Sequence, residues 1–278
     1  MSLNKPIWKL RDWIDINKLN WRELSRNPNA ISLLIDNQDK IDWCYLSENP
    51  NAIQLLNDNQ DKINWKYLSL NPNAIELLSK NFDKINWYLL SKNPSAIELL
   101  SKNFDNIKWC FLSLNPNGIP LLIENQDKIN WIYLSKNPNA ISLLSKNLDK
   151  INWCALSQNP NAISLLRDNR DKIDWISLSL NPNALELILE NDNKSYLDWY
   201  SLSYNSNPES IELLRENQDK IYWNFFSANP SIFELDYEKM SKNEIYMNLY
   251  EELIKEVMKP SRVFKNPHYD YIEELFGD

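Results

Sequence analysis

Apolar residues recur along this chain in two short bursts split by an Asn-Pro pair, and the pattern returns every 22 residues. In the window opened by Trp43, the residues Trp43, Leu46 and Ser47 fall at i, i+3 and i+4. Ala52, Ile53, Leu55 and Leu56 form a second cluster at helical spacing, with Asn51, Gln54 and Asp58 on the opposite side. The spacing predicts two short helices per window. Asn49-Pro50 divides them. Proline has no N–H with which to continue the first helix and restrains the residue before it, yet it suits the first position of the second helix.

The window occurs ten times, as W-x-x-L-S-x-N-P-N-A-I-x-L-L-x-x-N-x-D-K-I-N. Its opening residues are Trp21, Trp43, Trp65, Trp87, Trp109, Trp131, Trp153, Trp175, Trp199 and Trp223, with the last two steps lengthened to 24. A fixed period of this size predicts a stack of repeats in which neighbours bury each other's apolar faces. The fold expected is therefore all-α: an α-solenoid of ten short two-helix repeats over 21–235, with the tryptophans as its structural core. Residues 1–20 are expected to act as an N-terminal capping segment and 236–278 as a C-terminal capping helix and tail. One repeat alone buries too little apolar surface to offset the ordering of its residues, so stability is expected to be shared along the stack. Helices this short predict a thin rod.

Polar columns supply the helix ends. Asn or Asp precedes Trp in eight repeats, and Lys108 and Tyr222 are the exceptions; Asn and Asp are leading N-cap residues. Asp three residues earlier, as at Asp39 and Asp61, is an alternative start. With only two glycines in the chain, the column Asn37, Asn59, Asn81, Asn103, Asn125, Asn147 and Asn169 is expected to end the second helix in a left-handed conformation. At the ends of the stack, Trp8, Leu10 and Trp13 are expected to cover the first repeat. Asp236 is expected to cap a long helix over 237–258 that closes the last repeat, and a final turn is read over 269–276. Extra residues within 192–197 and 205–208 lengthen both loops around Trp199. Gly118 and Pro120 interrupt the fifth repeat, where Pro120 is expected to weaken the second helix.

Composition narrows the function classes. The net charge of −8 argues against a nucleic-acid surface, which needs clustered Lys and Arg. No apolar run approaches the ~20 residues of a membrane span, and the opening MSLNKPIWKLRDW lacks a secretory apolar stretch. Cys44, Cys110 and Cys154 occupy one column two or three repeats apart, too far for a disulfide. The single histidine, His268, has no Cys or His partners, and two glycines make no phosphate-binding loop. The serine that recurs as Ser25, Ser47 and Ser69 is needed once per repeat and is read as structural, bonding backbone at the end of the first helix. No catalytic, cofactor or metal site follows, and no small-molecule substrate is expected.

Function is expected where the repeat varies. The position two after Trp carries Tyr45, Tyr67, Phe111 and Tyr133, a ladder of residue types that anchor interfaces. The position after the helix-ending Asn carries Phe82, Phe104 and Leu148, where other repeats have Gln. Both columns are candidate partner-binding surfaces, and both also read as packing between neighbouring helices.

The opening KLRDWIDINKLNW, the repeated DKINWxxLSxNPNAIxLL and the closing FELDYEKM with KPSR-V resemble the tandem short α-helical repeat proteins of giant DNA viruses of the mimivirus kind. The resemblance covers nearly the whole chain. It implies a non-enzymatic interaction scaffold with a protein partner, acting in host cytoplasm or in the virion. The alternatives are a structural virion component and a reader of single-stranded RNA.

Overall fold

The computed structural model describes residues 6–190 and 198–241. They form an all-α repeat solenoid with one two-stranded addition. Two bodies are present, Leu10–Phe233 and a smaller one of which residues 6–9 and 234–241 are described. The expected end of the long C-terminal helix, the last turn at 269–276 and the lengthened loop at 192–197 lie outside the described residues.

Each repeat of the larger body follows one plan. In the second repeat the first helix is Trp43–Glu48, and Asp42 Oδ1 accepts from the Tyr45 N–H as its N-cap. The cap is thus the residue before Trp. Asp39 and Asp61 lie instead inside short 3-10 turns, Gln38–Lys40 and Gln60–Lys62, a third element of each repeat that the apolar pattern does not announce. Asn49 ends the first helix and caps the next, accepting from the Asn51 N–H. The chain then makes a 3-10 turn at Pro50–Ala52 and an α-helix at Ile53–Asn57.

The helix-ending asparagines work differently from expectation. Among the described residues no φ is positive, and Asn59 sits at φ −135°, ψ 55°. Its side chain donates to the Leu55 carbonyl, four residues back, and the same bond recurs at Asn37, Asn81, Asn103, Asn125, Asn147 and Asn169. An orphan carbonyl at the helix end is satisfied by a side-chain amide, so the left-handed turn is not needed. Pro120 is also tolerated. It occupies the first turn of Ile119–Glu124, where an N–H would have no helical partner. Gly118 stands in the column that is otherwise mostly Ala; a Cβ there would lie 2.9 Å from both Cδ1 and the carbonyl oxygen of Leu112.

The most tightly enclosed columns are not the tryptophans, which are half-buried, but Leu46, Ala52, Leu56 and their equivalents, which are fully buried. Buried with them are the Ser and Asn columns that join one repeat to the next. Ser25 Oγ donates to the Trp21 carbonyl and accepts from the Asp42 N–H of the following repeat. The Asn49 amide donates to the carbonyls of Ser25 and Asn27 in the preceding repeat. A buried polar pair of this kind is costly unless satisfied, and here every junction satisfies it in the same way.

The series closes. Asn27, in the first repeat, donates to the carbonyls of Ser227 and Asn229 in the tenth. Asn29 donates to the Pro230 carbonyl as Asn51 does to Pro28. The Asn20 N–H reaches Ser227 Oγ, and Lys18 lies over Trp223 as Lys40 lies over Trp21. The Leu10–Phe233 body is therefore a ring of ten repeats with no free end. The expected rod is corrected by curvature: about 36° of turn per repeat brings the tenth against the first.

The tenth repeat is composite. After its 3-10 turn at Pro230–Ile232 no second α-helix follows. Residues from the N-terminal side meet it instead: the Arg11 N–H and Nε donate to the carbonyls of Ile232 and Ser231, and Trp13 packs 6.0 Å from Phe226. Trp13 thus packs on the last repeat. Strands β1 (Trp8–Leu10) and β2 (Phe233–Leu235) pair. Within the smaller body, Asp236 N–H bonds the Ile7 carbonyl, Lys9 pairs with Glu234 at 3.2 Å, and Asp236 caps the helix Tyr237–Ser241 as expected.

Candidate interaction surface

The first helix of each repeat buries the residues three and four after Trp, so at about 100° per residue its open side presents those at one, two and five after Trp. These three columns interlock around the ring. Tyr45 stacks on Tyr67 at 5.8 Å, Phe111 lies 6.1 Å from Tyr133, and Tyr88 meets Phe111 edge-on at 5.7 Å. The expected ladder of Tyr45, Tyr67, Phe111 and Tyr133 is thus half-buried, each ring leaning on its neighbour.

Phe82, Phe104 and Leu148 are exposed and belong elsewhere. Phe82 and Phe104 set their edges on Trp87 and Trp109, which open the following repeats, at 5.3 and 5.2 Å. Described ring contacts join this column to the tryptophans and not to the ladder. Most of the repeat tryptophans also carry a lysine from the end of their own repeat: Lys62 lies 4.4 Å from Trp43, Lys84 4.3 Å from Trp65, and Lys150 4.7 Å from Trp131. Such contacts cover the exposed side of a half-buried indole. For Trp87 the corresponding position is Asn106.

The column directly after Trp was not among the expected surfaces. Over the fourth to ninth repeats it reads Tyr88, Cys110, Ile132, Cys154, Ile176 and Tyr200, all exposed, with Tyr88 at 55%, Ile132 at 54% and Ile176 at 64%. Its three cysteines invite a reading in terms of disulfides, which hides that the column is apolar for six repeats running. Spacing alone could have found it, because it sits four residues before the position five after Trp on the same helix side.

The column five after Trp lines the ring's centre. A cavity of about 520 Å³ is bounded by Arg26, Glu48, Leu70 and Lys92 from one side and Leu180, Tyr204 and Ala228 from the other. With Ala228 small, Arg26 spans a whole repeat: its Nη2 donates to the Tyr204 hydroxyl at 3.0 Å. Arg26 also pairs with Glu23 at 3.2 Å and Glu48 at 3.7 Å. Burial raises the Glu48 carboxyl above its ordinary range, and Arg26 and Lys92 pull it only partly back.

Two arcs follow. In the first and second repeats the charges are spent on one another: Arg22 lies 4.5 Å from the Tyr45 ring and 3.9 Å from Asp42, beside the Arg26 cluster. In the fourth to ninth the surface is apolar, and among the described residues Lys92 and Lys136 make no ion pair, Lys92 acting on Glu48 only from across the cavity. Among the described residues no group of His, Cys, Asp and Glu is arranged to hold a metal, and no helix is long and apolar enough to cross a membrane. Comparison with protein-family models, curated proteins and solved structures finds no match.

Proposed function

We propose that this chain is a non-enzymatic scaffold that binds a protein partner on the open side of its first helices. The observation that carries this reading is the apolar arc exposed over six consecutive repeats, from Tyr88 to Tyr200, beside the Tyr/Phe ladder. Contiguous exposed apolar surface on a folded protein marks interaction sites. The net charge of −8 opposes RNA as the ligand. The resemblance of the repeat to those of giant DNA viruses supports a viral origin, with action in host cytoplasm or in the particle.

Affinity capture with the full chain tests the reading. A specific partner is expected to be recovered by the wild-type chain and lost when Tyr45, Tyr67, Phe111 and Tyr133 are changed to Ala. Capture indifferent to those changes and to Ile132→Asp with Ile176→Asp removes the surface from the account.

A further inference from the structure

The two arcs of the ring differ in what they leave unsatisfied, and that difference describes an occupant. The arc from the fourth to the ninth repeat exposes Tyr88, Ile132, Ile176 and Tyr200 in one column. Beside it, in the column five after Trp, stand the exposed Lys92 and Lys136, neither in an ion pair among the described residues, with Glu48 facing Lys92 across the central cavity. The carboxylates of the arc's first helices and their caps are Asp174 and Asp198, both engaged as N-caps by the N–H groups of Ser177 and Ser201. A chain with a net charge of −8 thus presents apolar rungs with exposed ammonium groups on this one stretch.

Spacing and curvature add a second constraint. Neighbouring first helices pack side by side, so the rungs recur every 8–10 Å or so. Ten helices at that spacing describe a circle of roughly 14 Å radius. Six of the ten rungs span about half of it, and a straight helix of more than a few turns departs from such a curve. An extended segment can follow it. In the polyproline II conformation every third residue faces one way, about 9 Å apart, which matches the rungs.

We infer that the fourth to ninth repeats bind an extended acidic segment of a partner protein, with an apolar side chain at every third position and Asp or Glu between. The segment lays its apolar side chains between Tyr88, Ile132, Ile176 and Tyr200 and its carboxylates against Lys92 and Lys136. This rests on the interaction reading above and narrows it to one partner chemistry.

The test is selection of random displayed peptides on the immobilised full chain, then fluorescence anisotropy with the selected consensus peptide. Enrichment of apolar residues at a period of three with acidic residues between them is expected. Ile132→Asp with Ile176→Asp is expected to weaken binding by about tenfold or more. Lys92→Glu with Lys136→Glu is expected to weaken it similarly and to be rescued by a peptide whose acidic residues are changed to Lys. All these side chains are exposed, and an unchanged thermal midpoint checks that each variant folds. Selection that yields no peptide, basic peptides or no period of three overturns the inference, as does binding indifferent to the Ile pair. A labelled oligonucleotide or a second copy of the chain binding the arc instead does the same. If capture of a partner still depends on the Tyr ladder while the peptide result fails, the narrower inference falls and the interaction reading stands.

Discussion

Single residues carry the junctions of this molecule. A buried Asn in each repeat donates to two carbonyls of the preceding one, and a buried Ser bridges the Trp carbonyl and the next repeat's N–H. Neither bond is legible in one repeat, because the partner lies 17 to 26 residues away. What the sequence does show is that the two positions never vary, and a polar residue repeated ten times among apolar columns signals a bond made ten times. Glu48 is the reverse case, a charge the ring tolerates at a cost. Burial raises its carboxyl pKa, so the folded state holds the proton more tightly than the unfolded one just above the ordinary carboxylate range. The ionised group therefore costs stability, fully at neutral pH and not at all below the unfolded pKa. Glu48→Gln is expected to raise the thermal midpoint at pH 7, and the gain is expected to vanish as the pH falls below about 4. Melting curves across that range check it; a lowered midpoint at pH 7 would mean that the Arg26 pair outweighs burial.

At the scale of elements, the two helices, their Asn-Pro divide and their N-caps follow from residue types and spacing. The 3-10 turns did not, since Gln60–Lys62 is too short and polar to leave an apolar period. The left-handed helix end was a reasonable expectation for Asn, but the side-chain amide at Asn59 satisfies the same carbonyl group without the strained backbone. The tryptophans illustrate a related point: large apolar residues at a fixed period suggest the deepest core, yet each indole is half-buried, and most are finished by a lysine from the end of their own repeat. That lysine is Asn106 above Trp87. Asn106→Lys is expected to supply the missing contact and stabilise the protein by about 0.5–1 kcal/mol. Chemical denaturation measures this directly, and no gain would indicate that the Phe82 edge already fills the space over Trp87.

At the scale of the molecule, repeat columns say which neighbours bond but not the angle between them, so a rod and a ring are equally compatible with the pattern. The sequence does hold one trace of closure. Asp15–Asn20 copies the lead-in of a full repeat, complete with Lys18 and the cap Asn20, although residues 1–14 do not carry the repeat. In the ring it completes the tenth repeat, where Lys18 covers Trp223 and the Asn20 N–H reaches Ser227. The candidate surface was half legible for a similar reason. The Tyr ladder stands out by residue type, whereas the apolar arc needs the helix side to be known before its cysteines and isoleucines read as one surface. Closure is the central claim, and a distance tests it. With Cys44, Cys110 and Cys154 replaced by Ser, spin labels are attached at Arg22→Cys and Asn224→Cys, equivalent positions in the first and tenth repeats. The ring predicts the same separation as for labels at Lys66 and Tyr88 in adjacent repeats, about 8–10 Å between helices. A separation approaching roughly 80 Å, the span of nine open steps, would contradict it.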